Sequence, residues 1–187
     1  MKRFVLPLLL AFPAASFAAC PPVPDKSNSL TPLMEAVRAA PNEATARDLN
    51  NSLWQIWTTA PDAAAQEMLD RGMSRRGVYD FVGALEDFDA LIAYCPHYAE
   101  GYNQRAFVHF LRDDYEAAMN DLAKTLRIIP DHIGAASGLA LTLLELGDEE
   151  AGQAALRYAL SLNPWLPERS RLKPIPQGAE IKTETEL

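Results

Sequence analysis

Residues 80–96 read Asp80-Phe-Val-Gly-Ala84-Leu-Glu-Asp-Phe88-Asp-Ala-Leu-Ile-Ala-Tyr-Cys-Pro96. Thirty-four residues on, the chain runs from Asp114 through Ala118 and Leu122 to Pro130. After the same interval it runs from Asp148 through Gly152 and Leu156 to Pro164. Within the first block, apolar residues at 84, 85, 88, 91 and 92 follow helical spacing, as do those of 117–129 and 150–162. Each aspartate stands where a short polar side chain can satisfy the free amides of a starting helix. Each proline closes that helix, because it biases the preceding residue away from helical geometry. Small residues recur in the same phase upstream, at Gly72, Ala106 and Ala140. A sustained 34-residue period predicts stacked two-helix units. No run of strand periodicity stands against that reading.

The middle copy is the most regular. It runs Ala99-Glu-Gly-Tyr102-Asn-Gln-Arg-Ala106-Phe-Val-His-Phe-Leu-Arg-Asp-Asp-Tyr115-Glu-Ala-Ala118, then on to Pro130. These residues resemble the tetratricopeptide-repeat (TPR) family, with Tyr102 and Tyr115 at its aromatic positions and Ala106 and Ala118 at its close helix crossings. The third copy keeps Gly147-Asp148, Ala159 and Pro164. The first departs from the pattern: Arg71 and Arg75 replace an apolar and an aromatic residue. The resemblance implies an all-α solenoid with units at 65–98, 99–132 and 133–164. Residues 31–61 form two further helical patterns, Leu33 to Ala39 and Glu43 to Thr58, split by Pro41-Asn42. They are expected to be a degenerate unit that caps the stack, with Trp54 and Trp57 packing inside it.

Both ends read differently. Lys2-Arg3, an apolar run from Phe4 to Ala15 and Ser16-Phe17-Ala18 predict that residues 1–19 are a secretory signal, removed on export to a bacterial periplasm. The stretch ending at Cys20 also resembles a lipoprotein signal, with Phe17 in place of the usual leucine, which would anchor Cys20 in the outer membrane. Residues 20–30 read as a Pro-rich linker. Residues 165–187 read as a short docked segment at Trp165 and Leu166, then a disordered tail beyond Pro174. Cys20 and Cys95 are the two cysteines of the chain. In an oxidising compartment they either bridge linker to repeat or stay unpaired.

Composition narrows the function. The formal net charge is −8, and loss of Lys2 and Arg3 makes it two units more negative. Such a surface argues against nucleic acid and against anionic membrane as partners. His97, His109 and His132 have no metal spacing. Cys95-Pro-His97 lacks an orienting partner, and no glycine-rich phosphate loop occurs. No catalytic residue, cofactor or metal is expected.

The resemblance implies a concave groove lined by the first helix of each unit. By phase its residues are Leu69, Met73 and Arg76, then Asn103, Gln104, Phe107 and Phe110, then Ser137, Leu141 and Leu144. Met73, Phe107 and Leu141 stand one period apart and would form an apolar stripe suited to a peptide or protein segment. The stripe could equally be covered by the chain's own N-terminal helix or tail, or be partly interior packing. Chaperone-binding members of the family grip a carboxylate with cationic residues. Here those places hold Leu69, Met73, Gln104, Gly134 and Gly138, so that partner class is not expected. The expectation is an exported protein-interaction module, or else an accessory subunit or periplasmic chaperone of an envelope enzyme or assembly machine.

Overall fold

The structure, a computed structural model, describes residues 19–174. The signal segment up to Ala18 and the tail beyond Pro174 lie outside the described residues, as do the expectations placed on them. Eight α-helices follow: α1 Ser27–Arg38, α2 Glu43–Trp57, α3 Ala63–Gly77, α4 Phe81–Tyr94, α5 Ala99–Leu111, α6 Tyr115–Ile128, α7 Ile133–Glu145 and α8 Glu149–Leu162. A 3-10 turn, Pro167–Arg171, follows α8. Among the described residues there is no strand, and no helix is long and apolar enough to cross a membrane.

The pairs α3–α4, α5–α6 and α7–α8 stack in order, each helix packing on the next. The periodic residues do local work. Asp80, Asp114 and Asp148 accept the backbone N–H of Gly83, Ala117 and Ala151 at 3.0, 3.4 and 3.1 Å, capping the second helix of each pair. The turn before each cap needs one left-handed residue: Tyr79 (φ 64°), Asp113 (φ 60°) and Gly147 (φ 82°). At the close crossing of α3 and α4, a Cβ on Gly72 would lie 2.5 Å from the Phe88 ring. Ala84, Ala106, Ala118 and Ala140 are fully buried, so their small size sets the interhelical distance.

The two arginines that break the family pattern in α3 have a partner. Arg71 donates from Nε to Asp87 at 2.6 Å, and Arg75 Nη1 lies 3.1 Å from the other oxygen of that buried carboxylate. One period on, Arg105 pairs with Asp121 through two bonds of 2.7 Å. Those bonds to Asp121, with a further one to Asp89, hold the Arg105 guanidinium above its usual range despite burial. In the third pair the same positions are Leu139 and Ala155. An ion pair in two units thus gives way to two apolar residues in the third.

The N-terminal segment forms a helical cap, but not on the unit next to it in sequence. The α1–α2 hairpin lies against the other end of the stack. Met34, Val37, Leu53 and Trp57 share a buried core with Ile133 and Ala136 of α7, Ala159 and Leu162 of α8, and Leu166. The physical reason is where apolar surface is available. The outward side of α3 carries Glu67, Asp70, Arg71 and Ser74, all exposed, and offers nothing to bury Trp57 against. The linker is also shorter than expected, since α1 starts at Ser27. Pro32 lies inside α1, one turn in, where it removes a helical hydrogen bond. Tertiary anchors hold that turn: Lys26 Nζ donates to the Ile56 and Thr59 carbonyls, both at 2.6 Å. Cys20 and Cys95 are joined in a disulfide, Cα–Cα 5.2 Å, which fastens the strap to the end of α4. A lipid thioether at Cys20 and this bridge exclude each other, because both use the same sulfur. At the far end Trp165 donates from Nε1 to the Ala40 carbonyl at 3.0 Å, and Arg169 pairs with Glu43 at 2.8 Å.

Candidate functional site

The first helices α3, α5 and α7 form the inner face, and a line of polar side chains ties them together. Arg76 on α3 donates to Gln104 Oε1 on α5. Gln104 Nε2 and Asn103 Nδ2 donate to Glu100 Oε1. The other Glu100 oxygen lies 3.1 Å from His132 Nε2, at the start of α7. His132 Nδ1 accepts the Ala135 N–H at 3.1 Å, so the ring proton sits on Nε2 and is donated to Glu100. Glu100, Gln104 and His132 are fully shielded from water. Trp57 stacks on the His132 ring at 4.0 Å and closes the network from above. Tyr98 Oη donates to the Trp57 carbonyl at 2.7 Å, and burial pushes the Tyr98 phenol well above its ordinary range. Burial likewise pulls the Arg76 guanidinium below its usual value, with the Glu100 charge opposing. This network makes the inner face rigid, since every one of its donors and acceptors named here is engaged.

Sequence reasoning missed Glu100 and His132 as partners. Glu100 has no periodic signal, because the equivalent positions hold Gln66 and Gly134. The Arg71–Asp87 and Arg105–Asp121 pairs, by contrast, carry a 34-residue signal that could have been read.

Beside the network opens a cleft of about 320 Å³ between α2, α5, α7 and the 3-10 turn. Of the ten predicted groove residues, six line it: Asn103, Gln104, Phe107, Phe110, Ser137 and Leu141. The hairpin and C-terminal segment add Asn50, Trp54, Trp57, Leu166 and Glu168, none of them foreseen as groove residues. Phe107 is 47% exposed, a large ring left open on an otherwise filled face. Arg76 sits at its edge, its guanidinium 4.6 Å from the Phe107 ring centre.

The remaining predicted positions are corrected. Leu69 is fully buried with Phe88 and Leu91, because it faces α4. Met73 packs against that same core, so the apolar stripe is interrupted and starts at Phe107. Leu144 serves the α7–α8 crossing: a Cβ on Gly152 would lie 2.7 Å from it. A Cβ at Gly138 would crowd Leu122 at 3.1 Å, whereas one at Gly134 would make an ordinary contact with Trp54 at 3.6 Å. Among the described residues no group of histidine, cysteine or carboxylate side chains could hold a metal ion.

Fold and inner face together define a helix-pair solenoid with an open cleft beside its first helices. No family model matches the chain. Over 81 residues it is 37% identical to a TPR repeat-containing protein of Rhizobium etli, covering 43% of this chain and 40% of that protein. Over 73 residues it is 40% identical to a tetratricopeptide repeat protein 36 homolog of Nematostella vectensis, 39% of this chain and 40% of that one. The match therefore spans about two fifths of each relative's length. In structure it is similar to the first TPR domain of Spaghetti bound to an HSP90 peptide (TM-score 0.56, 16% identity, 57% of this chain and 85% of that one). It is similar to the Arabidopsis OM64 TPR domain as well (TM-score 0.56, 20% identity, 58% and 89%). In sequence and in fold the repeats of this chain are similar to tetratricopeptide repeats, and one of these neighbours, the Spaghetti domain, is bound to a peptide.

Proposed function

We propose that this chain is an exported protein-interaction module of the bacterial cell envelope that captures a peptide or protein segment in the cleft beside Phe107. The observation that carries the reading is the cleft itself. An aromatic side chain stands open among Phe110, Leu141 and Trp54, on a face otherwise closed by the chain's own hairpin. Export is supported by the signal-like run before Ala19. It is supported too by the Cys20–Cys95 bridge, a bond that persists in oxidising compartments. With Cys20 bridged, the mature protein is free rather than lipid-anchored, and mass spectrometry of the N-terminal peptide from the native host tests this. Retention of Met1 to Ala18, or a diacylglyceryl Cys20, would refute one or the other half.

The peptide held by the first TPR domain of Spaghetti, SRMEEVD, is acidic at its end. This chain lacks the cationic clamp such a ligand calls for. Its clamp-equivalent positions hold Leu69, Met73, Gln104, Gly134 and Gly138, and Arg76 is already bonded to Gln104. The test is a photo-crosslinking residue at 107, in intact envelopes, against the same residue at Tyr158 on the outer helix α8. A discrete species formed from 107 and absent from 158 supports the cleft; equal labelling from both sites sinks it. One stoichiometric species indicates a dedicated partner. Several substoichiometric ones indicate the alternative, a periplasmic chaperone or accessory subunit.

A further inference from the structure

The polar atoms of the cleft that lack partners are not random in kind. Among the described residues, Asn50 Oδ1 and Glu168 Oε2 are shielded from water and meet no donor. Trp57 is 4% exposed, and its Nε1–H meets no acceptor among them. All three residues line the cleft. A polar atom shut off from water without a partner is destabilising, and a ligand that supplies the partner recovers that loss on binding. Two of the three atoms are acceptors, one of them a carboxylate oxygen. The lining holds Glu168 as its charged residue and neither lysine nor arginine. Arg76, at the edge, is committed to Gln104 and the Phe107 face. The chain as a whole carries a formal net charge of −8.

We propose that the cleft selects a peptide segment in which an apolar side chain is followed by a cationic one. The apolar group enters between Trp54, Phe107, Phe110 and Leu141. The ammonium or guanidinium donates to Glu168 and Asn50, and a backbone carbonyl of the ligand accepts the Trp57 Nε1–H. The charge sign is opposite to that of the acidic HSP90 peptide on the neighbouring structure. The inference rests on the reading of this cleft as a peptide site, and the test separates the two.

The probes are three blocked peptides, acetyl-Gly-Phe-Phe-Lys-Gly-amide and its versions with norleucine or glutamate in place of lysine. Each is titrated to millimolar concentration against the mature protein and followed by tryptophan fluorescence and calorimetry. The expected order is lysine, then norleucine, then glutamate. Lysine should lead norleucine by roughly three- to tenfold, the size of one partly screened charge-assisted bond. Glu168→Gln abolishes that lead, so that the lysine and norleucine peptides bind alike, and Glu168→Lys turns the preference toward the glutamate peptide. Asn50→Asp, on the opposite wall, widens the lysine preference and guards against a Glu168 variant that fails to fold. Equal binding of the lysine and norleucine peptides to the wild-type protein overturns the cationic inference and leaves the cleft reading standing. Binding of neither overturns both.

Discussion

The repeat stack and the hairpin that lies on it are built by different rules. Within α3 to α8, most of the packing and capping features join residues close in sequence and return after 34, the Glu100–His132 network being the exception. Asp80 caps Gly83, Gly72 admits Phe88, and Arg71 reaches Asp87. The hairpin is held by single long-range contacts that recur nowhere: Cys20 to Cys95, Trp57 to His132 and Trp165 to Ala40. A solenoid's stability is close to a sum of unit and nearest-neighbour terms. A docked hairpin depends on a few anchors. The two regions should therefore respond separately to damage.

The largest effect is expected at Trp57. Truncation to alanine removes a buried indole from the core shared with Ile133 and Leu162 and uncovers the Glu100–His132 pair. A loss of about 4 kcal/mol follows from such truncations. Hydrogen exchange should locate that loss in α1, α2 and the 3-10 turn, with α3 and α4 still protected. A uniform rise across all eight helices would show that stack and hairpin form one cooperative unit, and the contrast drawn above would fail.

Next comes the strap. The bridge closes a loop of 75 residues, for which the unfolded chain's entropy alone sets a ceiling of about 4.5 kcal/mol; replacing both cysteines by serine should cost about 3 kcal/mol, the middle of the usual range. The exchange pattern sharpens the comparison: α1 should open first, since Lys26 is its remaining anchor to the end of α2. Loss confined to α4, with α1 still protected, would mean that the bridge serves the repeat and not the hairpin.

Ala118→Leu moves the damage into the stack. The residue is fully buried at the α5–α6 crossing, and a larger side chain should overpack it by about 2 kcal/mol. Here α5 and α6 should lose protection while α1 keeps it. An unchanged melting temperature would count against the 34-residue register.

This contrast also explains what could be read in advance. Pro96, Pro130 and Pro164, with Asp80, Asp114 and Asp148, made the stack legible because each repeat solves the same packing problem with the same residue types. The hairpin's helical character was legible from Leu49, Leu53, Ile56 and Trp57, but its docking place was not. No period relates Trp57 to His132, and the side chains that decide the matter are the polar ones on the outer side of α3. The groove was half legible for the same reason. Phase identifies which helix face a residue occupies, so Phe107, Phe110 and Leu141 were found. Phase alone does not say whether that face meets a neighbour: Leu69 meets α4, and Leu144 meets α8. Glu168 and Asn50 arrive from non-repeating segments and carried no periodic signal.

The smallest expected effect has the opposite sign and tests whether the stack is locally improvable. Tyr79, Asp113 and Gly147 occupy the same left-handed turn position, and only the third is a residue that adopts it freely. A tyrosine at φ 64° stores strain of about 1–2 kcal/mol. Glycine removes that strain at an added entropic cost of about 0.5–1 kcal/mol. Little else is lost, because Tyr79 is 79% exposed and its ring meets only the edge of Phe81, at 5.9 Å. Tyr79→Gly should thus gain about 0.5 kcal/mol, within the range seen for relief at such sites. Asp113→Gly should gain less or nothing. Aspartate tolerates this conformation better, and its carboxylate accepts the Tyr115 hydroxyl at 2.8 Å. Melting curves of the two variants side by side decide the point. If Tyr79→Gly lowers stability, the exposed ring is engaged with its neighbours Val78 and Val82 more closely than its exposure indicates, and the turn is not governed by backbone conformation alone.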